Sequence, residues 1–139
     1  MNWLALFLTA ALLVIAGAHA FWGVGGIWPA RSAADLARTV IGDGRTRMPP
    51  PWACFAVAGL LAVVAALPWV MLRWPQDHLV LVLTIVVASV FFIRGSAGYS
   101  PRWRSRFSAE PFAKLDMQLY SPLCMALAAG FLLLLARGM

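Results

Sequence analysis

The chain has 139 residues, 63% of them hydrophobic and 12% charged, where a soluble domain runs at about 45–50% apolar and about 25% charged. That composition excludes a soluble globular protein, and the scarcity of charge excludes disorder. The net charge of +6, from 11 Lys+Arg against 5 Asp+Glu, then points to anionic lipid headgroups as partners.

At about 20 apolar residues per membrane span, a chain of this length makes one small bundle and a single domain. The first apolar segment predicts a helix over about 3–22. Ala18-His19-Ala20 resembles a signal-peptidase site. No Lys or Arg precedes it, however, and the apolar run continues through Phe21-Trp22, so the segment reads as an uncleaved first span. Ser32 to Ile41 then predicts a short interfacial helix, with Ser32 as N-cap, Asp35 three residues on and Leu36, Val40 and Ile41 to one side. Gly42-Asp43-Gly44 and Pro49-Pro50-Pro51 end it. A second span is expected over about 52–72. The third apolar run, Leu79 to Ile93, is only about 15 residues, about 22 Å as helix, and must recruit its flanks to cross about 30 Å of hydrocarbon. A helix over about 76–97 does so, with Pro75 to Asp77 as its start and Arg94 snorkelling at its foot. Arg102 to Phe107 interleaves cations with aromatics, which suits headgroup phosphates and the acyl boundary. Phe112, Leu115 and Leu119 share a helical stripe. The last span is expected over about 119–136, with Ser121 as N-cap and Pro122 at its first position. The fold class is therefore all-α: a polytopic membrane protein, a four-transmembrane-helix bundle with two interfacial loops.

The basic residues set the orientation. Arg31, Arg38, Arg45 and Arg47 lie in the first long loop, and Arg94, Arg102, Arg104, Arg106 and Lys114 in or beside the second. Arg73 and Arg137 alone fall on the other side. The positive-inside rule places both long loops in the cytoplasm and both termini outside, in the cell membrane. Distributed this way, the arginines require no nucleic acid. Cys54 and Cys124 match no CxxC or zinc spacing and face a reducing compartment, so no disulfide is inferred.

Chemistry, if any, must come from the few polar residues near the loop ends of the spans. His19 is an ionisable group one turn before Trp22, with Gly23, Gly25 and Gly26 following. It reads either as a functional residue or as an interfacial anchor with Trp22. Asp116 beside an apolar stripe needs a partner: Arg94, an arginine of the 102–106 group, or His19. Two roles stand open for it, an acid/base pair with His19 or a salt bridge pinning the second loop to the bundle. Tyr99 and Tyr120 read first as belt residues. There is no paired-carboxylate or HExxH motif, Gly23 to Gly26 lacks the strand and helix of a phosphate loop, and a haem on His19 has no second convincing ligand. No cofactor or metal is therefore expected. Small residues at Ala10, Ala11, Gly17, Ala56, Gly59, Ala128, Ala129 and Gly130 allow close helix contact within a protomer or between protomers of a homo-oligomer.

Three elements carry a resemblance across nearly the whole chain: His19 to Pro29, with the pattern His-x-x-Trp-Gly-x-Gly-Gly-x-Trp-Pro; Arg94-Gly95 with Tyr99 and Pro101; and Asp116 with Tyr120-Ser121-Pro122-Leu123-Cys124. They resemble an uncharacterised, domain-of-unknown-function family of small bacterial integral membrane proteins. The resemblance implies four membrane helices with the motifs gathered at one face, and it implies no activity. The expected site is a polar pocket at the cytoplasmic face, formed by His19, Trp22, Arg94, Tyr99, Asp116 and Tyr120, that holds a lipid headgroup or small amphiphile. The competing expectations are an interface enzyme in which His19 and Asp116 act on a lipid or isoprenoid, and a purely structural subunit.

Overall fold

The computed structural model describes residues 2–138, and all regular structure among them is helical. Four long helices, α1 (Asn2–Gly23), α3 (Pro51–Arg73), α4 (His78–Ala97) and α6 (Phe112–Gly138), are long and apolar enough to cross a membrane. The loops between them carry two short helices, α2 (Ala33–Val40) and α5 (Pro101–Arg106). The protein is thus an all-α, polytopic membrane protein. α1 runs unbroken through Ala18-His19-Ala20.

The outer faces of the long helices stay apolar. Val14, Val63 and Ile93 are about 70% exposed, which only lipid tolerates at this density. Because lipid tails are as apolar as leucine, close packing and interhelical hydrogen bonds hold the helices together. α1 packs along α3 and α4 along α6, and the two pairs meet across Leu8, Leu12, Met71, Leu127 and Phe131. The Phe91 and Phe131 rings stack 6.3 Å apart. Pro68, inside α3, has no N–H for the carbonyl four residues back and crowds its neighbours. Beside it, Thr9 Oγ1 of α1 donates to Ala65 O at 2.7 Å and accepts from Trp69 Nε1 at 2.9 Å.

Short connection 74–77 and the chain's end share one face of the bundle, where Gln76 Nε2 donates to Gly138 O. Both long loops lie at the other face, joined by Ala109 N–H donating to Gly42 O at 3.1 Å. α2 forms as its sequence directs, with Ser32 Oγ capping Asp35 N. It is docked on protein, however: Leu36 and Ala37 are buried, and Phe112 packs on Gly42. Gly42 has φ +77, and a Cβ there would fall 2.3 Å from the Phe112 ring, so only glycine serves. In the turn that follows, Arg45 grips the Asp43 carboxylate through Nε and Nη2 at 2.7–2.9 Å, which holds the Asp43 pKa below its usual value.

The structure corrects two boundaries and adds a short helix. α4 begins at His78, capped by Asp77 Oδ1 on Val80 N, and Pro75 stays outside in the turn. The stretch 102–107 is largely helical: Ser100 caps α5 and Pro101 is its first residue. The last span begins well before Ser121, so Ser121 and Pro122 lie inside α6. It continues through a π turn, Asp116–Tyr120, in which Ser121 N–H bonds Asp116 O.

Candidate functional site

The loop-end face of α4 and α6 holds the one buried charged residue among the described residues. Asp116, 2% exposed, sits at the start of the π turn. Its Oδ1 accepts from Arg94 Nη2 at 2.6 Å and its Oδ2 from Trp103 Nε1 at 2.8 Å. Arg94 also reaches Ser121 Oγ at 3.5 Å, and its guanidinium lies 4.6 Å over the Trp103 ring. The arginine expected to snorkel outward is therefore turned in. A buried carboxylate is tolerable only with its charge paired and its oxygens hydrogen-bonded, and here Arg94 of α4 and Trp103 of α5 supply one donor to each oxygen.

Backbone proximity makes the cluster possible. A Cβ on Gly98 would fall 1.8 Å from Ser121 Oγ and 2.9 Å from Asp116 Oδ2, and one on Gly95 would meet Met125 and Ser121 O. The two glycines let α4 close on the π turn. In the π register the Met117 carbonyl faces residue 122, a proline without an N–H, and Tyr99 Oη donates to that carbonyl at 3.4 Å. From the cluster an aromatic run leads toward α2: Trp103 on Phe107 (4.2 Å), Phe107 near Phe112 (6.1 Å), Phe112 near Tyr120 (5.7 Å). Tyr120 Oη then donates to Thr39 O at 3.0 Å. The two loops are thus tied to each other and to α6.

Of the six residues expected in one pocket, Arg94 and Asp116 meet directly. Tyr99 and Tyr120 brace the same π turn. His19 and Trp22 form a separate group at the end of α1. There His19 Nδ1 bonds Ile15 O at 2.8 Å, the two rings lie 5.1 Å apart, and Trp22 Nε1 donates to Trp28 O. No hydrogen bond joins His19 to Asp116 among the described residues. Sequence reasoning missed Trp103, Ser121 and Gly98. Trp103 looked like a headgroup-facing aromatic, and only the Ser100-Pro101 start signal for α5 would have turned it inward.

A cavity of about 200 Å³ opens under α5, lined by Gly98, Trp103, Arg104, Phe107, Ser108, Glu110, Ala113 and Asp116. Both Asp116 oxygens are already engaged and Glu110 Oε2 accepts from Lys114 N–H, so the free polar groups at its wall are Arg104, Ser108 and the second Glu110 oxygen, Oε1. Among the described residues, no three His, Cys, Asp or Glu side chains gather as metal ligands.

Four helices long and apolar enough to span a membrane, an ion pair at one face covered by α5, and α2 docked beside it define a class: a small polytopic membrane protein with a polar end. The chain matches the family described as Protein of unknown function (DUF3995) over residues 12–131 and belongs to it. Neither a curated protein nor a solved structure matches it.

Proposed function

We propose that the protein is a binding or accessory component of the cell membrane that holds the headgroup of a lipid, or of another small amphiphile, in the cavity beneath α5. The loop face is cytoplasmic in this reading and both termini lie outside, in keeping with the basic residues of the two long loops. The observation that carries the proposal is the cavity itself. It combines a free cation, Arg104, with aromatic and small apolar walls, Phe107 and Ala113, beside the loop ends of α4 and α6. The Arg94–Asp116 pair forms a fixed, internally neutral floor rather than a contact for charge.

Mass spectrometry of the lipids retained in mild detergent tests this. Arg104→Ala is expected to lower retention by about tenfold, the worth of one charge-assisted hydrogen bond, and the cavity-filling Ala113→Leu to lower it by occupying the space. His19→Ala is expected to leave retention unchanged. Unaltered retention in both cavity variants, or loss in the His19 variant alone, overturns the assignment. A second reading, a purely structural clamp, is favoured by the full satisfaction of Asp116. It predicts that no amphiphile is retained. The acid/base reading requires a His19–Asp116 approach, and the hydrogen bonds of both side chains run elsewhere.

A further inference from the structure

Arg104 and Glu110 face the same cavity without forming an ion pair with each other. A second hollow of about 250 Å³ adjoins it, lined by the same Arg104, Glu110 and Ala113 together with Lys114, Met117 and Gln118. Glu110 Oε2 takes the backbone N–H of Lys114 at 3.3 Å at the start of α6, and Glu110 lines the hollow. The Arg104 guanidinium and the Lys114 ammonium have no carboxylate partner among the described residues. Asp116 adds no net charge, because Arg94 neutralises it.

A purely anionic headgroup placed against Arg104 and Lys114 would leave the Glu110 carboxylate without a counter-charge. A simple cation on Glu110 would leave Arg104 and Lys114 without one. A ligand that carries both signs satisfies all three groups. Resting on the headgroup-binding reading above, we infer that the ligand is zwitterionic, a glycerophospholipid with a phosphate and a primary ammonium. Its phosphate lies on Arg104 and Lys114 and its ammonium on Glu110. A primary ammonium suits a carboxylate because it brings three N–H donors. Met117 of α6, 38% exposed, lines the second hollow and gives an acyl chain an apolar contact there.

Native mass spectrometry of the full-length protein tests this, with dioleoyl-phosphatidylethanolamine and dioleoyl-phosphatidylglycerol titrated separately and free phosphoethanolamine as a soluble competitor. The ethanolamine lipid is expected to bind about tenfold more tightly than the glycerol lipid. Glu110→Gln is expected to abolish that preference by weakening the ethanolamine lipid alone, while Arg104→Ala weakens both. Free phosphoethanolamine at equal concentration is expected to compete poorly. Equal binding of the two lipids that still depends on Arg104 overturns the zwitterion and leaves the headgroup site standing. Binding of both lipids that is indifferent to Arg104→Ala overturns the site as well. Competition by phosphoethanolamine as effective as by lipid overturns the lipid as the source of the headgroup. Because Glu110 caps the start of α6, Glu110→Asp serves as a check on folding. It keeps the charge, and it is expected to retain a preference that Glu110→Gln loses.

Discussion

Asp116 is the residue on which the loop-end structure turns. At 2% exposure it pairs with an arginine whose side chain is 31% exposed, so deleting the carboxylate strands a guanidinium that can still reach some water. Asp116→Ala is expected to lower stability by about 3 kcal/mol, the lower part of the range for breaking a buried pair. Unfolding in mild detergent measures it, and adding Arg94→Leu should return part of the loss, because the unpaired charge then disappears. If the double variant is as unstable as the sum of the singles, the pair is not what Asp116 contributes. Glycines offer a second comparison. Gly98→Ala must push a methyl into Ser121 and Asp116, whereas Gly17→Ala meets nothing within 4 Å. The first is expected to destabilise by about 2 kcal/mol and the second to be neutral or to stabilise by up to about 1 kcal/mol, from helix propensity alone. Melting temperatures of the two variants in the same detergent decide this. The ionisable candidates were visible in the sequence because an unpaired carboxylate beside an apolar stripe demands explanation. Gly98 was not, since nothing local to Gly98 says which backbone comes near it.

The two Ser-Pro pairs show what an element can and cannot announce. Ser100-Pro101 caps and starts α5, whereas Ser121-Pro122 looks the same in sequence and lies inside α6. The difference is the π turn, which accommodates a proline in a continuing helix, with the freed Met117 carbonyl met by Tyr99 from the neighbouring segment. Tyr99→Phe is accordingly expected to cost about 1 kcal/mol in the natural chain and close to nothing in a Pro122→Ala background, where residue 122 regains its own N–H. A double-mutant cycle on unfolding measures the coupling, and a zero coupling energy would show that the hydroxyl does not serve this carbonyl.

For the whole molecule, the testable quantity is orientation. Reporter fusions that fluoresce only in the cytoplasm, or act only outside it, placed at the C-terminus and in loop 24–50, are expected to report the terminus outside and the loop inside. Moving basic residues from the 102–106 segment to the short 74–77 connection should weaken that preference; a topology unmoved by the exchange would dissociate it from the arginines. The number of spans and their approximate places were legible in advance because each is a sum over about twenty consecutive residues, although the last span begins earlier than its apolar run. Hydrophobic length and the placement of cations need no knowledge of neighbours. Which helix lies against which is a different matter. The long helices are apolar on every side, so the face that packs on protein and the face that meets lipid look alike in sequence, and periodicity carries no register. Tertiary structure alone put α1 on α3 and α4 on α6. With that pairing Asp116 meets Arg94 and Trp103 instead of His19, because contacts between residues far apart in the chain depend on close packing of whole helices rather than on the composition of any one of them.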